Sequence, residues 1–544
     1  MNTFLMPHIK KQMRKAFIIA VPVWFCSLLL PVNTIEAAQI EMVSIEVASE
    51  ADMDILKRLN IDIIRRHKPE FLRFGFSITA AIAARDKAEL RKAGIPWVHI
   101  ESTSDGDTAE DSYVVYRSFD DPHGGIRVQL EQFADTYPDI VTLHEIGKSI
   151  QGRPIIALRI TGNPDTVVFF KQKPAVLFLA THHAREWAAC EMAMRLIRYF
   201  TENYGALQRV TTLLDEAEVW VIPVANPDGY QYTFTTERLW RKNLRDNDQD
   251  GVITEVDGVD LNRNFDFYWG HDDEGSSPDE SDFDYRGPEP NSEPETRAVT
   301  KFIMQQRHRL KFIVSYHTFA GMILYPWWWK EDTPSYDDPI FVALAGTREN
   351  PAIWSSLIDR GYIPGVAGDV YGTVVNGNFT DWHYGTARIP GFLIELTAGV
   401  DAEGQFYGFE FPDDEALLQS VFEDNLAFAL ACVESAKQPA SPVSLAGIEP
   451  QNIYHTPVNQ SEGPEQRIDV LAKKRHIAVL LYTINSGRKH MSLFLPAYDQ
   501  DDRFGIHYCK YTAVIRGQNK GDEVSYWISS QGKQEGSFTY TVGE

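Results

Sequence analysis

Residues 175–187 run from an apolar, strand-like segment into His183 and, three residues later, Glu186. A turn at a strand end can point both side chains into one cleft. Neutral imidazole and carboxylate are both good zinc ligands, and a catalytic zinc takes three protein ligands and keeps a fourth position open. The spacing is H-x-x-E. It differs from the helical H-E-x-x-H pattern, in which two His lie one turn apart. A third ligand must therefore come from far along the chain. His317 offers one, close behind the apolar run Phe312-Ile313-Val314. Brought together, His183, Glu186 and His317 would hold a metal that acidifies water and polarises a carbonyl. Taken singly, each also reads as a satisfied polar residue at a strand end.

The motif His183-Ala184-Arg185-Glu186-Trp187 resembles the signature of the zinc metallocarboxypeptidases, the family of pancreatic carboxypeptidase A and bacterial carboxypeptidase T. Further matches follow in the family's order: Asn226-Pro227-Asp228-Gly229-Tyr230, Arg238-Leu239-Trp240-Arg241-Lys242-Asn243, Gly258-Val259-Asp260-Leu261-Asn262-Arg263-Asn264, Ser315-Tyr316-His317 and Phe392-Leu393-Ile394-Glu395-Leu396. The similarity covers residues 113–437. One H-x-x-E arises by chance in most long chains; six ordered motifs do not. The resemblance implies a zinc enzyme that hydrolyses the C-terminal peptide bond of peptides and proteins, with His183, Glu186 and His317 as the zinc ligands.

The same resemblance distributes roles. Glu395 stands among Phe392, Leu393, Ile394 and Leu396, where a carboxylate is rarely buried without purpose. The resemblance makes it the general base, and partial burial would raise its pKa usefully; a structural ion pair is the alternative. Arg241 matches the residue that steadies the developing oxyanion, and Arg185 and Arg238 match supporting cations of the cleft. Asn262 and Arg263 match the pair that holds the substrate's free C-terminus. An Arg binds a planar carboxylate through two parallel hydrogen bonds. Tyr371 is the candidate for the family's mobile Tyr over the substrate. Its distance to Asp381 is two residues longer than in carboxypeptidase A, and an ungapped match lands on Thr373. Thr380 would line the side-chain pocket. Basic-specific relatives carry Asp there, so Thr380 points to apolar or neutral C-terminal residues.

A second motif spans residues 246–257. Asp246, Asp248 and Asp250 occupy positions one, three and five, Gly251 position six, Ile253 position eight and Asp257 position twelve. That is the ligand spacing of an EF-hand calcium loop, with Asp where Glu is usual and with no clear flanking helix pair. A solvated acidic loop is the competing reading.

Positioning these residues is the work of an α/β domain. Strand patterns at 142–146, 155–160, 175–180, 218–223, 312–316 and 392–396 alternate with helical ones at 126–137, 186–204 and 295–307. This predicts a mixed central sheet with helices on both faces. The motifs fall at strand ends, where such sheets form their ligand crevice. Residues 39–112 precede it. Strand patterns at 42–47, 71–78 and 95–100 and helical ones at 50–59 and 80–93 predict a small α+β unit of split β-α-β type. The position matches the pro-region of secreted carboxypeptidases, which covers the cleft until an activating protease cuts; the polar run 101–112 would be the cleavage linker. After a proline-bearing linker at 438–451, residues 452–544 show short alternating runs at 477–482, 491–495, 511–516, 524–528 and 537–542, the pattern of an all-β sandwich.

The chain of 544 residues is 44% hydrophobic and 24% charged, as ordinary globular proteins are. Its net charge of −24 argues against non-specific binding to nucleic acid. Lys10, Lys11, Arg14 and Lys15 precede the apolar run 16–32, and Ala37 and Ala38 follow. That order is a signal peptide over residues 1–38 and predicts a secreted or periplasmic protein with no stable membrane span after cleavage. Cys190, Cys432 and Cys509 remain beyond it and suggest no disulfide framework. Two other functions compete: a peptidoglycan or amide hydrolase on the same fold, and an inactive binding protein that works through its sandwich.

Overall fold

The computed structural model of the protein describes residues 41–59, 61–67, 76–82, 84–99, 113–163, 172–397, 409, 413–458, 460–461, 463–474, 478–497, 505–530 and 533–543. The expected signal peptide and cleavage linker lie outside them.

Near the N-terminus, strands Glu41–Val47, Asp62–His67, Phe76–Ile82 and Trp97–His99 alternate with helices Glu50–Arg58 and Ala84–Ala93. The strands form an antiparallel sheet in the spatial order Asp62–His67, Phe76–Ile82, Glu41–Val47, Trp97–His99, a split β-α-β layout. Val43, Ile45 and Val47 alternate onto one face and bury with Ile78, Ala80, Ile82, Leu56 and Leu90. The sequence pattern starts the second helix at residue 80, but the strand before it runs on to Ile82. Ala80 and Ala81 pair with Val43 and Met42, and that ladder overrides alanine's helix preference.

The central sheet has eight strands: β1 (Val141–Lys148), β2 (Pro154–Ile160), β3 (Ala175–Ala180), β4 (Glu218–Ile222), β5 (Leu310–Thr318), β6 (Met322–Tyr325), β7 (Ile363–Val366) and β8 (Gly391–Leu396). Their spatial order is β7-β6-β8-β5-β3-β4-β2-β1. Strands β4, β3, β5 and β8 run parallel; β2 is antiparallel to both its neighbours, β1 and β4, whereas β6 is antiparallel to β8 and parallel to β7. Every residue of β3, β4 and β8 is buried, as expected of strands covered on both faces. Val176, Phe178 and Ala180 face helices Trp187–Asn203 and Glu415–Ser435; Ala175, Leu177 and Leu179 face the opposite layer, with helices Pro294–Gln306 and Phe379–Gly385. Cys190 lies wholly buried in the first of these helices.

Helix Glu415–Ser435 is long and apolar enough, by length and composition, to cross a bilayer. The sequence read alone shows no stretch past residues 16–32 that is long and apolar enough to span, and this helix corrects that reading. Here the apolar residues serve packing: Phe428 meets Phe392, Phe422 meets Tyr199, and Leu418, Val421 and Leu430 join the main core.

Beyond it, one sheet orders Ile453–Tyr454, Glu465–Lys473, Tyr508–Arg516 and Leu495–Pro496. A second orders Gln460–Ser461, Lys533–Val542, Glu523–Ser530, Ala478–Ile484 and His490–Leu493. Ile468, Ala513 and Ile515 of the first pack against Leu480, Val524, Tyr526 and Tyr540 of the second, making a sandwich. Strand Glu465–Lys473 has no counterpart in the sequence reading, because its polar residues mask the alternation of Ile468, Val470 and Ala472.

Candidate metal centre and substrate cleft

Strand β3 ends at Ala180, and Thr181 adopts a left-handed conformation at φ 60°. A β-branched residue is strained there, and a hydrogen bond from Thr181 Oγ1 to Pro223 O (2.9 Å) helps to hold it. The chain then turns so that His183 and Glu186 share one side. His317 arrives from the end of β5. His183 Nδ1 lies 2.7 Å from Glu186 Oε1, and His317 Nδ1 lies 3.0 Å from Glu186 Oε2. The two Nδ1 atoms are 3.2 Å apart. All three residues are at most 4% exposed. Two imidazole lone pairs and a carboxylate converging at such distances, out of water, fit a cation between them, and two His with one carboxylate is a donor set suited to catalytic zinc.

Asp260 backs this group. It is wholly buried, 3.3 Å from His183 Nε2 through Oδ1. A carboxylate on the far nitrogen fixes the tautomer that leaves Nδ1 free to ligate. The other oxygen, Oδ2, accepts from Arg241 Nη2 (2.7 Å) and Nε (3.1 Å) and lies 3.8 Å from Arg263 Nη1. Burial would raise its pKa, but Arg241, His183 and Arg263 together hold it well below the usual carboxylate range.

Asn262 and Arg263 sit on the short 3₁₀ turn Leu261–Arg263, which Asp260 caps by accepting from Asn262 N. Asn262 Oδ1 accepts from Phe379 N at 2.8 Å, which turns its Nδ2 donor the other way. Arg263 is 9% exposed; its Nη1 donates to Asn262 O at 3.0 Å, and its buried Nε has no hydrogen-bond partner.

Glu395 lies in β8, in register with His317 of β5. It is 9% exposed, and its Oε2 is buried without a hydrogen-bond partner. Burial, reinforced by the charge of Glu186, pushes its pKa up against the opposing pull of His183 and Arg241.

Helix Phe379–Gly385 carries Thr380, which is wholly buried with its hydroxyl unpartnered. The neighbouring acid, Asp381, accepts from Trp328 N, Trp329 N and Asn378 Nδ2, and burial pushes it up to about 7. Trp328 packs with Leu324, Ala367, Val375 and Leu393. Tyr371 ends a short helix, is 45% exposed, and has its ring 5.3 Å from that of Trp328; Thr373 follows it with its hydroxyl on Val374 O. Arg185 is buried with its guanidinium 3.9 Å over the Phe409 ring. Arg238 lies 3.6 Å over Trp187 and donates to Arg185 O, so it braces the loop that carries Arg185.

Other motif residues prove to be scaffold. Asn226 accepts from Gly229 N and reaches back to His182 O and Lys242 O. Asp228, wholly buried, takes Ser149 Oγ, Gln151 N and Arg153 Nη1. Asn243 ties Glu293 to Val259 N. Asp260 is the site residue that sequence reasoning left without a role. Its position two residues before Asn262-Arg263 was the available signal.

In the acidic loop, Asp246, Asp248 and Asp250 converge, with one oxygen of each within 4.8 Å of the others. Asp257 does not join them. It is buried, and its oxygens accept from Asn247 N, Thr254 N and Thr254 Oγ1, so three of the four expected acids converge and the fourth is engaged within the loop. Although Asp248 accepts from Asp250 N, partial desolvation and the nearby Asp250, Asp257 and Asp246 charges raise its pKa.

Known proteins with this arrangement of sequence and fold are metallocarboxypeptidases. Mast cell carboxypeptidase A of Rattus norvegicus is 32% identical over 268 residues, which cover 49% of this chain and 61% of that protein. The Homo sapiens counterpart is 30% identical over 307 residues, covering 56% and 66%. The chain thus spans less than two thirds of either relative's length. The crystal structure of carboxypeptidase A from Helicoverpa armigera shares the fold, with a TM-score of 0.57 at 24% identity over 74% of this chain and 99% of that one. The family described as zinc carboxypeptidase matches residues 126–427, more than half of the sequence, and the chain belongs to that family.

Proposed function

We propose that this chain is a zinc-dependent carboxypeptidase that releases the C-terminal residue of peptides and proteins, with a preference for apolar or neutral residues. The observation that carries the reading is the meeting of His183, Glu186 and His317 near Glu395, with His183, Arg241 and Arg263 gathered on one buried carboxylate, Asp260. The ion the family implies is zinc, which supplies Lewis acidity: it acidifies water and polarises a carbonyl. His183, Glu186 and His317 would hold it.

Glu395 takes the proton of the attacking water and returns it to the leaving amine, a role suited to a carboxylate with an unpartnered oxygen and an elevated pKa. Arg241, fixed by Asp260, presents a guanidinium to the developing oxyanion. Arg263 and the Asn262 amide bind the terminal carboxylate. Arg185 adds positive charge to the cleft, and Tyr371 covers the bound substrate. The preference for apolar or neutral residues is supported by Thr380 and by Asp381, whose oxygens are occupied by Trp328, Trp329 and Asn378.

The reading extends to maturation and stability. The chain is exported through residues 1–38, residues 39–112 inhibit it until an activating protease cuts, and the catalytic domain begins near residue 113. A calcium ion between Asp246, Asp248 and Asp250 orders the approach to Asp260, a reading supported by the three converging oxygens. The test is a mixed peptide library digested by matured protein with and without a chelator. Chelator-sensitive release of single C-terminal residues, with amidated peptides spared, is expected. Cleavage of amidated and free peptides at equal rates rejects the proposal in favour of an amide hydrolase.

A further inference from the structure

The carboxylate of Asp337 joins the C-terminal sandwich to the wall of the cleft. Asp337 has no solvent exposure. It accepts hydrogen bonds from the backbone N–H groups of Ile506, of His507 at 2.7 Å and of Tyr508 at 2.9 Å, all from the sandwich. It also accepts from Tyr384 Oη at 3.0 Å. Tyr508 is wholly buried in the catalytic core cluster, and its hydroxyl donates to Gln451 O. The loop is seated without slack: a Cβ on Gly505 would stand 2.8 Å from Tyr336 Cβ and 3.1 Å from Asp337 Oδ1.

Tyr384 belongs to helix Phe379–Gly385. Its ring packs against Trp327 at 4.9 Å and Phe341 at 5.6 Å. The same helix carries Thr380, and its first N–H, on Phe379, is held by Asn262 of the carboxylate-binding pair. Thr380 and Tyr384 are one helical turn apart, about 6 Å along the axis. A helix this short moves as a rigid unit, so the far end cannot shift without moving the pocket end.

We propose that Asp337 is a positioning residue through which the C-terminal sandwich sets the side-chain wall of the substrate cleft. The inference rests on the carboxypeptidase reading and adds a role for the sandwich. A buried carboxylate must keep its donors. With residues 505–508 in place, three donors come from the sandwich, and Asp337 in turn anchors the Tyr384 hydroxyl. Were the loop to lift, Asp337 would have to seek water or other donors and would draw Tyr384 with it, tilting Thr380.

The experiment uses the full chain, matured in the same way for each variant. Tyr384→Phe removes one hydroxyl and keeps the ring; Asp337→Asn keeps the shape; Gly505→Val wedges the loop from the sandwich side. Readouts are kcat and KM on peptides that differ only in the C-terminal residue, zinc content, and thermal unfolding. Misplacement of a positioning group by about 1 Å can cost up to about a hundredfold, so a partial tilt should raise KM about three- to tenfold for bulky C-terminal residues. The rise should be smaller for C-terminal Gly, with kcat within about twofold and zinc content unchanged. Lowered unfolding temperatures with KM unchanged in all three variants overturn the proposal and leave Asp337 a structural staple. Tyr384→Phe decides the matter if the other two do not fold. A parent protein that releases no C-terminal residue overturns the carboxypeptidase reading and this one with it; an active parent whose variants keep their KM overturns this one alone.

Discussion

Replacing Asp260 by Asn keeps the shape of the side chain and removes its charge. The carbonyl oxygen of Asn can still cap Asn262 N, so the loss falls on the other contacts. These are the two hydrogen bonds from Arg241, at 2.7 and 3.1 Å, and the Arg263 head at 3.8 Å, all on Oδ2, while His183 Nε2, 3.3 Å from Oδ1, is left facing a neutral oxygen in place of a charged one. Hydrogen bonds to charged groups contribute about 1.5–3 kcal/mol each, and stripping the partner from a buried charge costs about 3–5 kcal/mol. Arg241 keeps slight exposure, its side chain being 10% accessible. The expected loss of unfolding free energy is therefore at the lower end, about 3 kcal/mol. Metal affinity should fall about 10- to 100-fold, as when the outer partner of a ligating His is lost. The folded-state pKa of Asp260 is depressed, so its stabilisation is present above the unfolded value of about 3.9 and lost as pH falls. The stability gap between parent and variant should accordingly close in acid. Urea unfolding at several pH values and zinc competition against a chromophoric chelator measure both terms. Asp228→Asn is the control. It is as buried, but its partners are Ser149, Gln151 and Arg153, so it should lose stability and keep zinc. The reasoning fails if Asp260→Asn binds zinc within twofold of the parent, or if Asp228→Asn weakens zinc equally.

Glu395→Gln should lower kcat by about a hundredfold to ten-thousandfold with zinc content unchanged; near-full activity with stoichiometric zinc removes Glu395 from its role. Because burial and the Glu186 charge raise Glu395, kcat/KM should fall in acid with a midpoint above the ordinary value of about 4.3. A pH–rate profile with its midpoint at or below that value contradicts this. Arg263→Ala should cost about 2 kcal/mol or more of transition-state binding for free-acid peptides, read as a drop in kcat/KM of about thirtyfold, and should leave the slow cleavage of amidated peptides unchanged. An equal drop on both assigns Arg263 to folding instead of substrate. Calcium should raise the melting temperature of the parent and leave that of the Asp248→Ala, Asp250→Ala double variant unchanged, with zinc bound throughout; an identical response in both makes the loop a solvated turn.

Much of the central α/β domain is legible in the sequence. Strand β3 is an unbroken apolar run because it is covered on both faces, and such runs stand out. His183, Glu186, His317 and Glu395 lie in or within a few residues of strand ends, whereas Arg241, Asn262 and Arg263 stand in the long connection between β4 and β5, where no strand pattern marks them. Elements whose patterns are set by distant partners stayed hidden. The strand Phe76–Ile82 carries two alanines, and its last three residues read as the start of a helix until Glu41–Val47 is placed beside it. The helix Glu415–Ser435 carries its polar residues mainly over the first half, and the run Ala427–Val433 is apolar on every side and gives no period. Of the four acids expected at the calcium loop, Asp257 stands apart for a local reason: it serves backbone N–H groups of its own loop, and spacing alone does not say which acids are already occupied.

The same point separates chemistry from scaffold among the buried acids. Asp228, Asp260, Asp337 and Asp381 are all wholly buried, and by residue type any of them could serve as a base. Their donors come from segments far away in sequence: residues 149–153 for Asp228, residues 506–508 for Asp337, Trp328 and Trp329 for Asp381. An occupied carboxylate has no lone pair to spare for a water molecule; its free energy is committed to holding two segments together. Glu395 differs in one respect. Its Oε2 is buried and unpartnered, a condition that costs stability and persists where function requires it. Proton transfer needs that open lone pair, and the four occupied acids need the opposite. Sequence motifs carried both kinds side by side, Asp260 two residues from Asn262 and Asp381 one residue from Thr380, because the cleft is assembled from short segments that must each bind substrate and hold one another in place.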